Sequence, residues 1–451
     1  MHKLFDNMKQ TLGGCLKSSI ARCINMMSAA AINMRSVKTI NKRSVAVFIA
    51  VLSFSAVQAQ KQLFIPDSLK PYDLNDPESR WCMKHSTETK DVIFFWEKGF
   101  GDDPACPPDL EGHKMSFDLN NLKNRVQGFY DYFRDTLQFL TPGSKAEKYK
   151  MMVMVNYSLE GTAYGGTYDD FIGALWVAPN RIQDQRLNCM AHELGHSFQL
   201  QIPADKAGDA WGGSGFFEMT SQWMLWRVNP KWIDDETYHF DAFKNLTHRA
   251  FLSISNIYHS PYVIEWWAEK HGLPSIAELY RQGRIGEDPA MTYMRVNKLS
   301  QKQFNDEMFD CYCHLVNFDF QHARQETRKY AATFSTPLDT LQGGWMRVKA
   351  DRTLEDYGFN AIEVPLNTKK AVVEGKNIIC ALVGIANNDE CIYGKAEKDK
   401  AGKGKATIKT PRNTTLKKMY LVVMGAPESH VMLNYEDEST NRKYPYKFKL
   451  Y

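Results

Sequence analysis

Beyond residue 59 the 451-residue sequence has no apolar run long enough to cross a bilayer, so a membrane-spanning helix is not expected. It also lacks internal repeats and low-complexity tracts, which removes solenoids and disordered scaffolds. Proline and glycine are modest, at 18 and 28, and with 43% hydrophobic and 24% charged residues the composition is ordinary globular. A surplus of cations is missing where a nucleic-acid partner would need one. Residues 1–59 hold eight Lys and Arg against one acid, Asp6, so the overall charge of +4 becomes −3 once they are set aside. A nucleic-acid function therefore loses its main support. Cysteine is scarce too. Cys15 and Cys23 fall in the N-terminal stretch, and the seven that remain cannot all pair with one another. Cys82 with Cys106, and Cys380 with Cys391, are close enough in sequence to bridge. Cys311 and Cys313, two apart on an apolar helix, point to different sides and read as core residues rather than metal ligands.

What is present begins with an export signal. Lys42 and Arg43 precede a short apolar stretch from Val45 to Leu52, then small residues ending at Ala59. This is the three-part pattern of a secretory signal, so residues 1–59 read as leader and signal peptide, with Met34 a second possible start. The protein is expected to be secreted, to the periplasm or beyond the cell. After it the chain divides into three regions. Residues 60–180 read as mixed α/β, with strands at Asp91–Trp96, Met151–Val155 and Ile172–Val177, and a helical pattern from Leu119 to Leu140. Residues 181–335 read as almost entirely helical. Residues 340–451 show short alternating runs punctuated by Gly, Asn, Asp and Pro, the pattern of an all-β sandwich or jelly-roll-like domain. The Lys-rich stretch Lys395–Lys405 reads as a solvated hairpin tip. The expected fold class is thus α+β.

The chemistry is concentrated at residues 192–218. His192 and His196 stand four apart on a predicted helix, so both imidazoles share one face and can reach a single zinc ion. Glu193, beside the first of them, is placed to act as general base. Leu187, Ala191, Leu194 and Phe198 form the apolar stripe of that helix, which Pro203 should end near Gln201. Ile172–Val177 just upstream is a candidate edge strand for pairing with a peptide. A catalytic zinc needs a third protein ligand. Glu218 is the best candidate, on a helix that can start near Ser214, because a carboxylate among Phe216, Phe217 and Met219 is costly to bury without a positive partner. The alternative is that Glu218 projects into solvent from an amphipathic helix. Gln222, one turn on, could orient a ligand histidine. For the donor that steadies an oxyanion, His259 is the first choice and Tyr258 the second. Tyr164, Tyr168 and Trp176 either line the cleft or belong to the core.

His192-Glu193-Leu194-Gly195-His196, a short Gly-rich connection, then Phe216-Phe217-Glu218 opening an aromatic helix resembles the gluzincin zinc metallopeptidases. More closely it is similar to a family of secreted bacterial proteins of uncharacterised function and predicted peptidase character, over roughly residues 90–330. The stretch Tyr258–Tyr262 before Trp266–Gly272 shares that likeness. The resemblance implies a zincin-like catalytic domain, a zinc cofactor held by His192, His196 and Glu218, and hydrolysis of a peptide or (glyco)protein substrate. One departure stands out: many gluzincins carry Asp one turn after the third ligand, where this chain has neutral Gln222. The competing expectation is a secreted glycan- or protein-binding protein with a residual metal site. A zinc hydrolase of some other bond is a third, since metal and base do not specify the scissile bond.

Overall fold

A computed structural model describes residues 60–212, 215–398, 404–434 and 437–451. The export signal expected at residues 1–59 lies outside the described residues. Among the described residues the fold is mixed α+β with three sheets and no barrel.

The first sheet is built from β1 (Ser86–Glu88), β2 (Val92–Trp96), β3 (Met151–Val155), β4 (Ala163–Tyr168) and β5 (Ile172–Val177), in the order β1-β2-β3-β5-β4. Strands β2, β3 and β5 run parallel, with Val92 opposite Met151 and Val153 opposite Leu175. Their nearly continuous apolar runs suit strands buried on both faces. The sequence placed Ile172–Val177 at the edge, and the structure corrects this. β5 is interior, and β4 pairs antiparallel on its far side, Ala163 opposite Val177. The edge strand is instead β4, whose glycines hid it from pattern reading. The helix α1 (Leu119–Asp131), with Asp118 capping Asn121 N–H, packs Leu122, Val126, Phe129 and Tyr130 into the core.

The helices of eight or more residues that follow are α2 (Asn188–Ala204), α3 (Phe216–Val228), α4 (Thr237–Leu246), α5 (Tyr262–His271), α6 (Pro274–Gln282), α7 (Pro289–Val296) and α8 (Gln301–Leu315). α2 buries Met190, Ala191, Leu194, Phe198 and Ile202. Each large side chain of that stripe stabilises the packing by about 1.5–3 kcal/mol. The helix does not stop at Gln201 but runs through Pro203. In the final turn proline forfeits a single ladder bond, and Asp205 N–H closes the end on the Gln201 carbonyl at 2.8 Å. Cys311 and Cys313 are buried on α8, as their flanks suggest, and all seven described cysteines are free thiols, so neither local bridge forms.

The C-terminal region holds two sheets. One has the order β11-β10-β14-β8: Cys391–Tyr393, Ile378–Ala386, Leu416–Gly425 and Phe359–Glu363. The other is β12-β13-β9-β15-β7-β6: Lys395–Lys398, Gly404–Thr407, Lys370–Gly375, Tyr446–Leu450, Met346–Val348 and Leu338–Thr340. The two-residue period of β10 explains how the sheets are used. Cys380 and Leu382 face the second sheet and join Val373, Leu421 and Phe448 in one core. Ala381, Val383 and Ile385 face the other way and join the cluster that contains the helices. β12 and β13 form a hairpin at the Lys-rich stretch, whose tip, residues 399–403, lies outside the described residues.

Burial, aided by neighbouring positive groups, holds His248 and His322 at about 4, and burial beside His239 does the same to His259. From pH 6.5 down to 4 the unfolded chain therefore takes up protons that the folded chain refuses at three histidines, and stability falls on acidification. Glu265, raised to about 7 by burial, opposes this, and Glu269 and His196, also raised, act in the same direction as Glu265. The thermal midpoint of the metal-free chain is expected to drop between pH 7 and 5. A midpoint that rises over that range would contradict this balance.

Candidate metal centre

The site is set by how closely three elements approach. A Cβ on Gly165 of β4 would lie 1.9 Å from the Glu193 carbonyl oxygen, so only glycine lets the edge strand sit against α2. A Cβ on Gly195 would lie 2.8 Å from Ser221 Oγ, so the glycine between the histidines admits α3 in the same way. α3 begins at Phe216; Gly213 and Ser214, near its expected start, lie outside the described residues. Glu218 falls in its first turn, where the helix dipole favours a carboxylate.

These contacts bring the expected ligands together. Glu218 Oε2 is 3.1 Å from His192 Nε2 and 3.2 Å from His196 Nε2, and the two imidazole nitrogens are 3.1 Å apart. Among the described residues this is the one group of three His, Cys, Asp or Glu side chains close enough to share a metal ion. Solvent projection of Glu218 is thereby replaced by convergence, with 25% of its side chain exposed.

Two glutamines determine what those nitrogens present. Gln222 Nε2 donates to the Tyr258 carbonyl at 3.0 Å, so its Oε1, 3.1 Å from His192 Nδ1, is the acceptor. Gln199 Nε2 donates to the Phe217 carbonyl at 3.0 Å, leaving Oε1 facing His196 Nδ1 at 3.0 Å. A carbonyl can only accept, so each amide orientation is fixed, and each Nδ1 carries the hydrogen. Both Nε2 atoms then turn bare lone pairs toward Glu218. Three electron-rich atoms at this separation require a positive charge between them, and donors that share one zinc at about 2.0–2.1 Å are spaced in this way. The acid–base behaviour agrees. Burial works against a charged His196, yet the hydrogen bond and charge of Glu218 outweigh it and raise its pKa. Burial likewise opposes ionised Glu218, and the two histidines overcome it, holding the carboxyl well below its usual range.

The side chain of Glu193, half-buried on α2, makes no hydrogen bond or ion pair among the described residues, while its backbone carbonyl accepts from Ser197 Oγ at 3.4 Å. Tyr258 lies beside the group, its ring 6.3 Å from that of His192 and 44% of the residue exposed. Burial, then the nearby Glu218, push its phenol up to about 12, so it remains a donor at neutral pH. His259 does not join it. Its Nδ1 lies 2.7 Å from His239 Nδ1, turned to a partner behind the site. Of the aromatics, Tyr164 is exposed on the edge strand, whereas Tyr168 is buried and bonded through its hydroxyl to Trp176 Nε1 at 3.0 Å.

Sequence reasoning missed Gln199, Ser221 and His239. Gln199 sits three residues after His196, a spacing that could have flagged it. Ser221 Oγ, 3.2 Å from His196 Nδ1, and His239 Nε2, 3.2 Å from Gln222 Nε2, arrive from positions with no local signature. The amides can be tested. Gln222→Leu is expected to weaken zinc binding about 10- to 100-fold, read by competition with a chromophoric chelator. Unchanged affinity would show that the ring needs no such support.

No curated protein matches the chain. Residues 55–378 and 379–451 match the model of a family of unknown function, DUF6055. With nearly the whole sequence covered, the chain belongs to that family of unknown function.

Proposed function

We propose that this chain is an exported zinc metallopeptidase of gluzincin type, with a zincin-like arrangement of the first sheet over α2. The observation that carries the reading is the convergence of His192, His196 and Glu218 with both Nδ1 atoms already committed to glutamine oxygens. The chemistry supplied by a bound zinc is Lewis acidity, polarising a carbonyl and bringing the pKa of a coordinated water toward about 7. Glu193 accepts a proton from the attacking water and returns it to the leaving amine. Tyr258, protonated at neutral pH, donates to the carbonyl oxygen as negative charge grows there. The edge of β4 offers its backbone to an extended substrate, with Tyr164 beside it. His259 supports the site from behind through His239 and Gln222.

The purified chain is expected to hold about one zinc and to cleave members of a mixed peptide library, with both lost on dialysis against a chelator. Stoichiometric zinc without any peptide cleavage would leave the binding protein as the better account. Absence of zinc after metal loading would remove the centre itself.

A further inference from the structure

The β-rich C-terminal region differs in charge from the rest of the chain. Residues 338–451 hold 19 Lys and Arg against 14 Asp and Glu, whereas residues 60–337 hold 29 against 37. The excess is concentrated by strand alternation. Ala371, Val373, Ala406, Tyr446 and Phe448 point into the core between the sheets. Lys370, Lys405, Lys447 and Lys449, their neighbours in sequence, therefore share the opposite, outer face of the six-stranded sheet. Lys447 pairs with Glu374 at 3.0 Å and Arg347 with Asp339 at 3.2 Å, and Lys405 is not free either. Lys449 Nζ also donates to the Gly343 carbonyl at 2.8 Å, and three of these lysines stand over aromatic rings. Lys370 and Lys449 stand 4.9 and 5.7 Å from the centre of the Tyr451 ring, and Lys447 4.6 Å from that of Trp345. Tyr451 is 56% exposed.

We infer that this outer face binds an acidic polysaccharide. Ammonium groups on strands about 4.8 Å apart form an array that a single small anion cannot satisfy, whereas a chain of repeating anionic units can. The rings add the second requirement. A sugar ring lays its apolar face on Tyr451 or Trp345 while its carboxylate or sulfate reaches the adjoining lysines. A nucleic acid is the poorer fit. Phosphates are best recognised by free guanidinium forks, and Arg347 on this face is committed to Asp339. The −8 balance of residues 60–337 makes the face the natural landing point for a polyanion that the remainder repels. Neither zinc nor Glu193 is needed, so the inference stands apart from the peptidase reading.

The test titrates the purified chain with polygalacturonate, dextran sulfate, neutral dextran and single-stranded DNA, at low and at physiological salt. At least one acidic polysaccharide should bind, neutral dextran should not, and affinity should fall as salt rises. The double variant Lys370→Gln/Lys449→Gln should weaken that binding about tenfold, with an unchanged thermal midpoint. Trp345→Ala should weaken it as well, which charge attraction alone does not predict, and Glu193→Gln should leave it intact. No acidic polysaccharide binding by the unmodified chain at low salt overturns the inference. So does equal binding of DNA that is indifferent to Trp345→Ala, which would make the face a plain polyanion surface.

Discussion

Glu193→Gln is expected to lower kcat/KM on a cleaved peptide by about 10²- to 10⁴-fold while leaving zinc content unchanged. The substitution keeps the shape of the side chain and removes only its capacity to take a proton. The side chain of Glu193 has no hydrogen bond or ion pair among the described residues, so none is lost with its charge, and the bond from Ser197 Oγ to its backbone carbonyl is untouched. It is also absent from the converging group of His192, His196 and Glu218, so metal retention should not depend on it. The measurement is paired: zinc per chain by elemental analysis, and initial rates on one peptide. Full activity in the variant would remove Glu193 from the reaction, and zinc loss would mean that its charge holds the centre together.

His196→Ala should have the opposite signature, with zinc and activity lost together. The change deletes one of three donors and leaves Gln199 Oε1 without the N–H it faces. A bound ion stabilises a fold by RT ln(1 + [L]/Kd), about 4 kcal/mol at a thousand-fold excess over Kd. Added zinc should therefore raise the thermal midpoint of the unmodified chain by several degrees and that of the variant by little. The comparison is made at one pH, because zinc and protons compete for imidazole nitrogen and Glu218 raises the pKa of His196. A variant that still holds stoichiometric zinc would show that His196 is not a ligand.

The legible parts of this site were the local ones. His192, Glu193 and His196 follow from helical period, and Glu218 from the cost of placing a carboxylate among aromatics. Three of them, His192, His196 and Glu218, lie close enough together to share a metal ion. What escaped the sequence depends on packing between distant elements. The edge position of β4 rests on Gly165 admitting α2, and a glycine pair in a strand reads as a break until the helix is seen against it. The order of preference between His259 and Tyr258 could not be settled by neighbours in the chain, since it is His239, twenty residues earlier, that draws His259 aside. The α+β class and the run of helices were visible because their periods extend over many residues. Pro203 shows the limit of a local rule: a proline that breaks a helix midway is tolerated in its last turn.

A carboxylate placed behind a metal-binding histidine is itself an acid, and it loses its hold when it is neutralised. This protein uses primary amides at both positions, Gln199 and Gln222, and an amide does not ionise anywhere in the range proteins survive. The two contacts that hold the rings therefore carry no charge of their own to lose. If acid displaced a metal from the proposed centre, both amide contacts would remain available to hold the rings for its return.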